Sequence, residues 1–438
     1  MKRHLPCLLL ACTFIIVHAD DWPQWMGPNR DGVWLENGIV RSIPDGGLKV
    51  TWRAPVHYGY AGPAVAKGRV YVMEYEVQSG EVQNNPGGRA VLQGRERVRC
   101  LDAKTGELLW TQAYERPYQL SYPGGPRCTP AISDGKVYAL GAEGNLTCLN
   151  AADGSVVWRK DLPREYKVPT QIWGHAAHPL VVGDLVYCLA GGEGTMVVAL
   201  DKNTGEQKWG ALSGQEPGYC PPNLIEHAGR RQLIVWTADT LNGLDPASGK
   251  EFWSIPLKPA YGLSSSMPRQ VGDHLYASAI GNISALVKLE DGDPGASVVW
   301  RGRTKEAVYC SNSTPFVTED TIYGADIESS ALMAVNLADG QRLWETTAPT
   351  LGEGKSGRHG TVFLVRNGDL FFLFTETGHL ILARLTRAGY EEVGRQKILE
   401  PTNEAFGRSV VWSHPAFAEK CMFARNDKEI VCVNLAAE

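Results

Sequence analysis

Between residues 128 and 162 short apolar runs alternate with polar, glycine-bearing ones. The apolar stretches fall at 130–132, 137–140, 146–149 and 156–158, and the breaks carry Asp134-Gly135, the turn at 141–144 and Asp153-Gly154. Each run is too short for a packed helix and is rich in Val, Leu, Tyr and Thr, which predicts four strands joined as an antiparallel meander. The Asp-Gly and Thr-Gly pairs suit hairpins, because glycine takes positive φ without a Cβ clash. The strands are labelled A to D, from inner to outer.

The same unit returns along the chain, and its last strand ends on a tryptophan: Trp110, Trp158, Trp209, Trp253, Trp300 and Trp344. Successive spacings are 48, 51, 44, 47 and 44 residues, and a glycine stands four or five positions before each ring. That period belongs to a propeller blade and is too long for one coil of a β-helix. The rings are expected to wedge between neighbouring blades. A seventh copy, at 360–399, predicts three strands and has Tyr390 to Gly394 where the tryptophan would fall. Residues 412–438 supply strands A to C and no D, whereas Val50-Thr51-Trp52-Arg53 is a D strand with nothing before it. An open ring would expose a sheet edge, so the two fragments are expected to form one composite blade. The predicted fold is all-β: an eight-bladed β-propeller of four-stranded antiparallel blades, closed by an N-terminal strand. The predicted division is a leader at 1–19, an extension at 20–47 and the propeller at 48–438.

The start of the chain changes the expected compartment. Lys2-Arg3, an apolar run at 5–17 and Val17-His18-Ala19 predict a signal peptide cut after Ala19, hence a periplasmic or secreted protein. The run is too short to span a bilayer, although Leu9-Leu10-Ala11-Cys12 also resembles a lipid-attachment site. Loss of Lys2 and Arg3 takes the formal charge from −5 to −7, and no basic cluster occurs, which argues against a nucleic-acid partner. Eight of ten cysteines remain after cleavage; Cys421 and Cys432 lie symmetrically about Asn426-Asp427 and are expected to face each other, as a disulfide or as small strand hydrophobes. No Cys-x-x-Cys pair occurs, so neither a zinc ribbon nor a haem attachment is encoded.

Leu101-Asp-Ala-Lys-Thr-Gly-Glu-Leu-Leu-Trp110 resembles the repeats of the PQQ-type β-propeller family, over roughly residues 50–435. That family includes quinoprotein alcohol dehydrogenases and the non-catalytic outer-membrane assembly factor BamB. The stretch Asp21-Trp22-Pro23-Gln24-Trp25-Met26-Gly27-Pro28 also resembles the opening of secreted PQQ-like repeat proteins. In the dehydrogenases, the resemblance implies a quinone over the axis, a calcium held by carboxylate and amide groups, an aspartate base and a disulfide between adjacent cysteines. This chain has no Cys-Cys dipeptide, and its Asp326 and Glu328 sit in a Gly/Ser-rich loop expected to face solvent.

In such a meander the residues leading into each strand A converge on one mouth of the channel. Here they are aromatic and basic: Arg127, then Trp173 with His175, then Tyr219. Further on come Tyr309 with Asn312, Arg358 with His359, and Trp412 with His414, with Tyr58, Tyr60, His178 and Tyr261 in equivalent places. Aromatic walls with a few convergent polar groups build ligand pockets. These residues are therefore the candidate binding surface, for an anionic or carbohydrate-like small molecule, a peptide segment or an envelope protein; the other reading is that the rings plug the channel. The insertion at 76–96 leaves beside this mouth and reads as a structureless loop, a candidate lid. No nucleophile–base spacing or phosphate loop is present, and no catalytic or metal-binding residue is assigned. The expectation is a monomeric, non-catalytic binding or scaffold protein of the cell envelope with no resident cofactor and no membrane span. The alternative is a dehydrogenase of alcohols or sugars that uses PQQ with calcium.

Overall fold

The turn signals and the tryptophan period resolve into one repeated contact. A computed structural model describes residues 21–437, so the leader, Cys12 and the cleavage site at Ala19 lie outside the described residues. Eight antiparallel four-stranded sheets follow in chain order. In the second blade the strands are Ala131–Ser133, Lys136–Leu140, Asn145–Asn150 and Val156–Asp161. In the eighth, Ala416–Ala418, Cys421–Arg425 and Glu429–Asn434 take Val50–Pro55 as their fourth strand, with Trp52 opposite Cys432. The N-terminal strand closes the ring.

Five strand-D indoles reach the C–D turn of the next blade and rest on its glycine. Trp52 donates to the carbonyl of Ala103, Trp110 to Ala151, Trp158 to Lys202, Trp209 to Pro246 and Trp300 to Leu337, at 2.9–3.2 Å. Under each ring lies that turn's glycine. A Cβ on Gly106 would stand 2.6 Å from Trp52, and one on Gly154 2.5 Å from Trp110. The recurrent glycine and tryptophan are thus seat and ring of successive seams. The exception falls where the spacing differs: the turn before Trp300 places Gly295 five residues ahead, and Trp253 turns instead to Gln232 of its own blade, at 2.7 Å.

The seventh blade corrects the expectation of three strands. It has a full fourth strand, Tyr390–Lys397, in which Gly394 pairs with Leu382 just before the bulge, the position tryptophan holds elsewhere. Ile43 of the N-terminal extension packs over Gly394. The insertion of blade 1 is also more regular than expected. Strands Arg69–Ser79 and Ala90–Asp102 pair as far as Ser79 and Gln93, which leaves a tip at 80–89. Cys432 pairs with Phe423 and Cys421 with Asn434, so the two cysteines are diagonal neighbours, and all eight described cysteines are free thiols. The turn is centred one residue later than the sequence suggests, which moves each partner by two. Asp326 is buried, not solvent-facing, because it accepts from the Tyr309 and Ser329 N–H groups.

Residues 21–40 hold only isolated bridges, yet Trp22, Trp25 and Trp34 are buried. They cross the channel along the inner strands. Trp22 bridges Val65 of blade 1, the Pro23 carbonyl accepts from Ile132 of blade 2, and Val33 bridges Arg366 of blade 7. The Arg30 guanidinium donates to the carbonyls of Pro179 and Pro222, ahead of blades 3 and 4, and Arg269 of blade 5 donates to the carbonyls of Arg30 and Asp31. Burial pulls Arg30 down to about 9 and Arg269 to about 10. The extension is therefore a plug fixed to most of the ring.

Candidate ligand cavity at the channel mouth

Above the plug, at the mouth where strands A begin, lies an open cavity of about 830 Å³. That is within the range of small-molecule pockets. Trp25 of the plug supplies its floor. Its ring stacks on His178, centroids 4.6 Å apart and planes 10° apart, and meets His414 edge-on at 5.6 Å. The Thr129 N–H donates to His178 Nδ1 at 2.9 Å, which places the His178 proton on Nε2.

The wall differs from one side to the other. From blade 8 through blade 5 it is aromatic: Trp412, Tyr122, Tyr60, Trp173, Tyr219 and Tyr261. Trp173 meets Tyr219 at 5.7 Å and Tyr261 at 6.5 Å, both edge to face, an arrangement that aromatic quadrupoles favour. Ahead of blades 5 and 6 the wall becomes short and polar, with Ser265, Ser311, Asn312, Ser313 and Thr314. Asn312 donates to Thr361 at 3.0 Å, and Ser265 to the Ser311 carbonyl at 2.8 Å.

Of the ten candidate residues, Arg127, Trp173, Tyr219, Asn312, Arg358, His359, Trp412 and His414 line this cavity. His175 and Tyr309 do not. His175 is buried against the turn of blade 2, with Gly144 beneath its ring. Tyr309 is buried in a cluster with Ala307 and Ile327 and donates to the Arg303 carbonyl at 2.6 Å. Strand-leading position alone does not fix the direction of a side chain. The residues that sequence reasoning missed are Trp25, Tyr122, Phe406 and the serine group. Trp25 carried a signal in the run of tryptophans ahead of the first strand, in a segment with no strand pattern to explain them. Phe406 belongs to a small hairpin, Asn403–Ala405 with Arg408–Val410, inserted between blades 7 and 8.

The arginines of the cavity are tied to other protein groups, and its histidines are neutral. Arg127 spends its guanidinium on the carbonyls of Trp173, Gly125, Ser121 and Tyr122, with its face 5.4 Å from the Tyr60 centroid. Arg358 pairs with Glu328 at 2.5 Å and is largely exposed. Burial pulls His359 down to about 4, His414 to about 3 and His178 well below the usual imidazole value, so all three are neutral at pH 7. Glu216 is the one carboxylate on the wall. No group of three or more His, Cys, Asp or Glu is placed to hold a metal among the described residues.

The blade 1 hairpin covers one edge of the mouth. Pro86 and Gly87 at its tip line the cavity, and the Asn84 amide donates to Asn403 at 2.5 Å and to the Glu404 carbonyl at 2.7 Å. This joins the tip to the hairpin that bears Phe406.

Residues 94–346 and 237–438 match the profile of a family described as outer membrane protein assembly factor BamB. BamB of Shewanella oneidensis is 22% identical over 227 residues, 50% of this chain and 56% of the relative. BamB of Burkholderia pseudomallei is 24% identical over 254 residues, 56% of this chain and 60% of the relative. The chain thus spans little more than half the length of these relatives. The crystal structure of BamB from Moraxella catarrhalis superposes with a TM-score of 0.57 at 14% identity, over 89% of this chain and 98% of that one, a likeness of fold.

Proposed function

This chain belongs to the outer membrane protein assembly factor BamB family, and from that premise we propose that it is a non-catalytic binding or scaffold protein of the cell envelope. Its contact site is the channel mouth. The observation that carries this reading is the aromatic cavity of about 830 Å³ closed below by Trp25. A channel filled only for stability would bury its rings, whereas here Tyr261 is 75% exposed and Phe406 46% exposed at the rim.

The site residues carried forward are the eight that line the cavity, joined by Trp25, Tyr122, Tyr261 and Phe406. The tip at 80–89 is proposed as a lid over them. A monomer is part of the proposal. Among the described residues no helix is long and apolar enough to cross a membrane. Periplasmic location or secretion remains part of the proposal, resting on the leader sequence and on the kinship with BamB.

A PQQ-dependent dehydrogenase is the second reading, and the donor set does not fit it. A multiply anionic quinone needs several converging cations, and the wall carries only Arg127, whose donors face backbone carbonyls, and Arg358, which pairs with Glu328. Calcium takes six to eight oxygen ligands, usually with several carboxylates, and the wall offers Glu216 alone. The test is ligand-observed NMR of the purified chain with a mixed panel of uncharged sugars, uncharged aromatic peptides, anionic sugars, and PQQ with calcium, repeated on Trp173→Ala.

A further inference from the structure

The backbone at the cavity is strained in one chemical class of residue. Tyr122, Tyr261, His359 and Phe406 hold φ of 49°, 59°, 61° and 52°, and all four rings line the cavity. Left-handed backbone is unfavourable for a non-glycine residue, because its Cβ crowds the following carbonyl oxygen. Elsewhere such angles serve turns: Lys67, Asp134 and Ala228 each precede the glycine of an A–B hairpin. Two of the cavity aromatics also sit in turns, Phe406 before Gly407 and Tyr261 before Gly262, whereas Tyr122 and His359 belong to no hairpin. In all four places the left-handed backbone carries a flat ring at the mouth, two of them well exposed. His359 and Phe406 stack face to face, centroids 4.0 Å apart and planes 2° apart, so each ring covers one face of the other and the pair is held as a two-ring stack. Strain of this kind concentrates at ligand clamps.

Resting on the binding reading above, we propose that the cavity takes an uncharged sugar chain, with ring faces on Tyr261 and on the outer face of the His359–Phe406 stack and hydroxyls toward Ser265, Ser311 and Asn312. A pyranose has an apolar C–H face and a hydroxyl edge, and the wall has an aromatic side and a hydroxyl–amide side. The imidazoles are neutral, Arg127 aims its donors at backbone carbonyls, and Arg358 pairs with Glu328, which together weigh against an anion. An extended peptide would seek a free strand edge. The inner edges at Val65 and Arg366 are already taken by Trp22 and Val33.

The test is an array of uncharged oligosaccharides, including cellohexaose, maltohexaose and chitohexaose, beside anionic oligosaccharides and an uncharged Trp- and Tyr-containing peptide. Hits are then titrated calorimetrically. The expected result is retention of at least one uncharged sugar, with affinity reduced about tenfold or more in Tyr261→Ala and in Phe406→Ala. Leu35→Ala, which removes an exposed side chain outside the cavity, leaves affinity unchanged. Retention of the peptide or of anionic sugars alone overturns the sugar assignment and keeps the binding reading. Retention of nothing overturns both.

Discussion

Trp25 lies flat on His178, 4.6 Å between centroids, although 153 positions separate them. The contact joins the plug to the loop ahead of blade 3 and makes the cavity floor part of the fold. Truncating a buried tryptophan removes both its transfer free energy and its packing. Trp25→Ala is expected to cost about 3 kcal/mol or more in urea unfolding and to abolish ligand binding. A floor that merely rests in the channel would give a loss below about 1 kcal/mol.

The seam between blades has a matched pair of probes. Gly135 and Gly154 have nearly the same φ, 74° and 75°, but a Cβ meets nothing within 4 Å at Gly135 and the Trp110 ring at 2.5 Å at Gly154. Gly135→Ala should cost only backbone strain, about 1–2 kcal/mol. Gly154→Ala adds overpacking, a further 1–3 kcal/mol or so. Thermal or denaturant unfolding of both variants measures the difference, and equal losses would refute the seat.

These glycines show why so much of the fold was legible. The D-strand tryptophan and the turn glycine are two halves of one contact made at successive blade junctions, so it recurs in sequence. The closing strand around Trp52 was legible for the same reason, as a D strand with its own blade missing. The plug was not, because its contacts occur once: Arg30 reaches the carbonyls of Pro179 and Pro222, and carbonyls leave no sequence signature. The cavity was half legible. Position before strand A named Trp173 and Trp412, but it could not show that Tyr309 is buried away from the cavity or that Arg127 directs its donors at backbone carbonyls.

Closure predicts a global effect from a local change. Trp52→Ala removes a buried ring and its bond to Ala103 of blade 1, at about 3–5 kcal/mol. Removing residues up to Pro55 should broaden or abolish the cooperative transition seen by circular dichroism. A truncated chain that melts like the intact one would contradict closure by this strand.

The plug makes a similar prediction through charge. Arg30 is buried and donates to Gln24 as well as to the two carbonyls. Arg30→Ala leaves those carbonyls without their donor, a loss of about 3 kcal/mol or more in urea unfolding. Arg30→Lys should recover only part of it, since one ammonium cannot reproduce the fork.

Acid behaviour follows from the buried imidazoles. His175, His178 and His414 are held below their ordinary value of 6.5, chiefly by burial. Between about 6.5 and 4 the unfolded chain binds protons that the folded one does not, so each of these histidines lowers stability as pH falls. Each contributes up to about 1.4 kcal/mol per pH unit in that window. Glu96 and Asp427, whose carboxyls burial raises, act in the opposite direction. The direct check is the imidazole signal: His178 and His414 should remain neutral by NMR down to about pH 5. Titration of either near 6.5 would contradict the cavity's neutrality.

The central claim is that the channel mouth is a binding site for an uncharged ligand. Saturation-transfer NMR with the mixed panel tests it most directly, on the intact chain and on Trp173→Ala with an unchanged melting temperature. The account predicts transfer to uncharged members of the panel from the intact chain and its loss in the variant. Transfer only to PQQ or other anions, or equal transfer from both proteins, would contradict it.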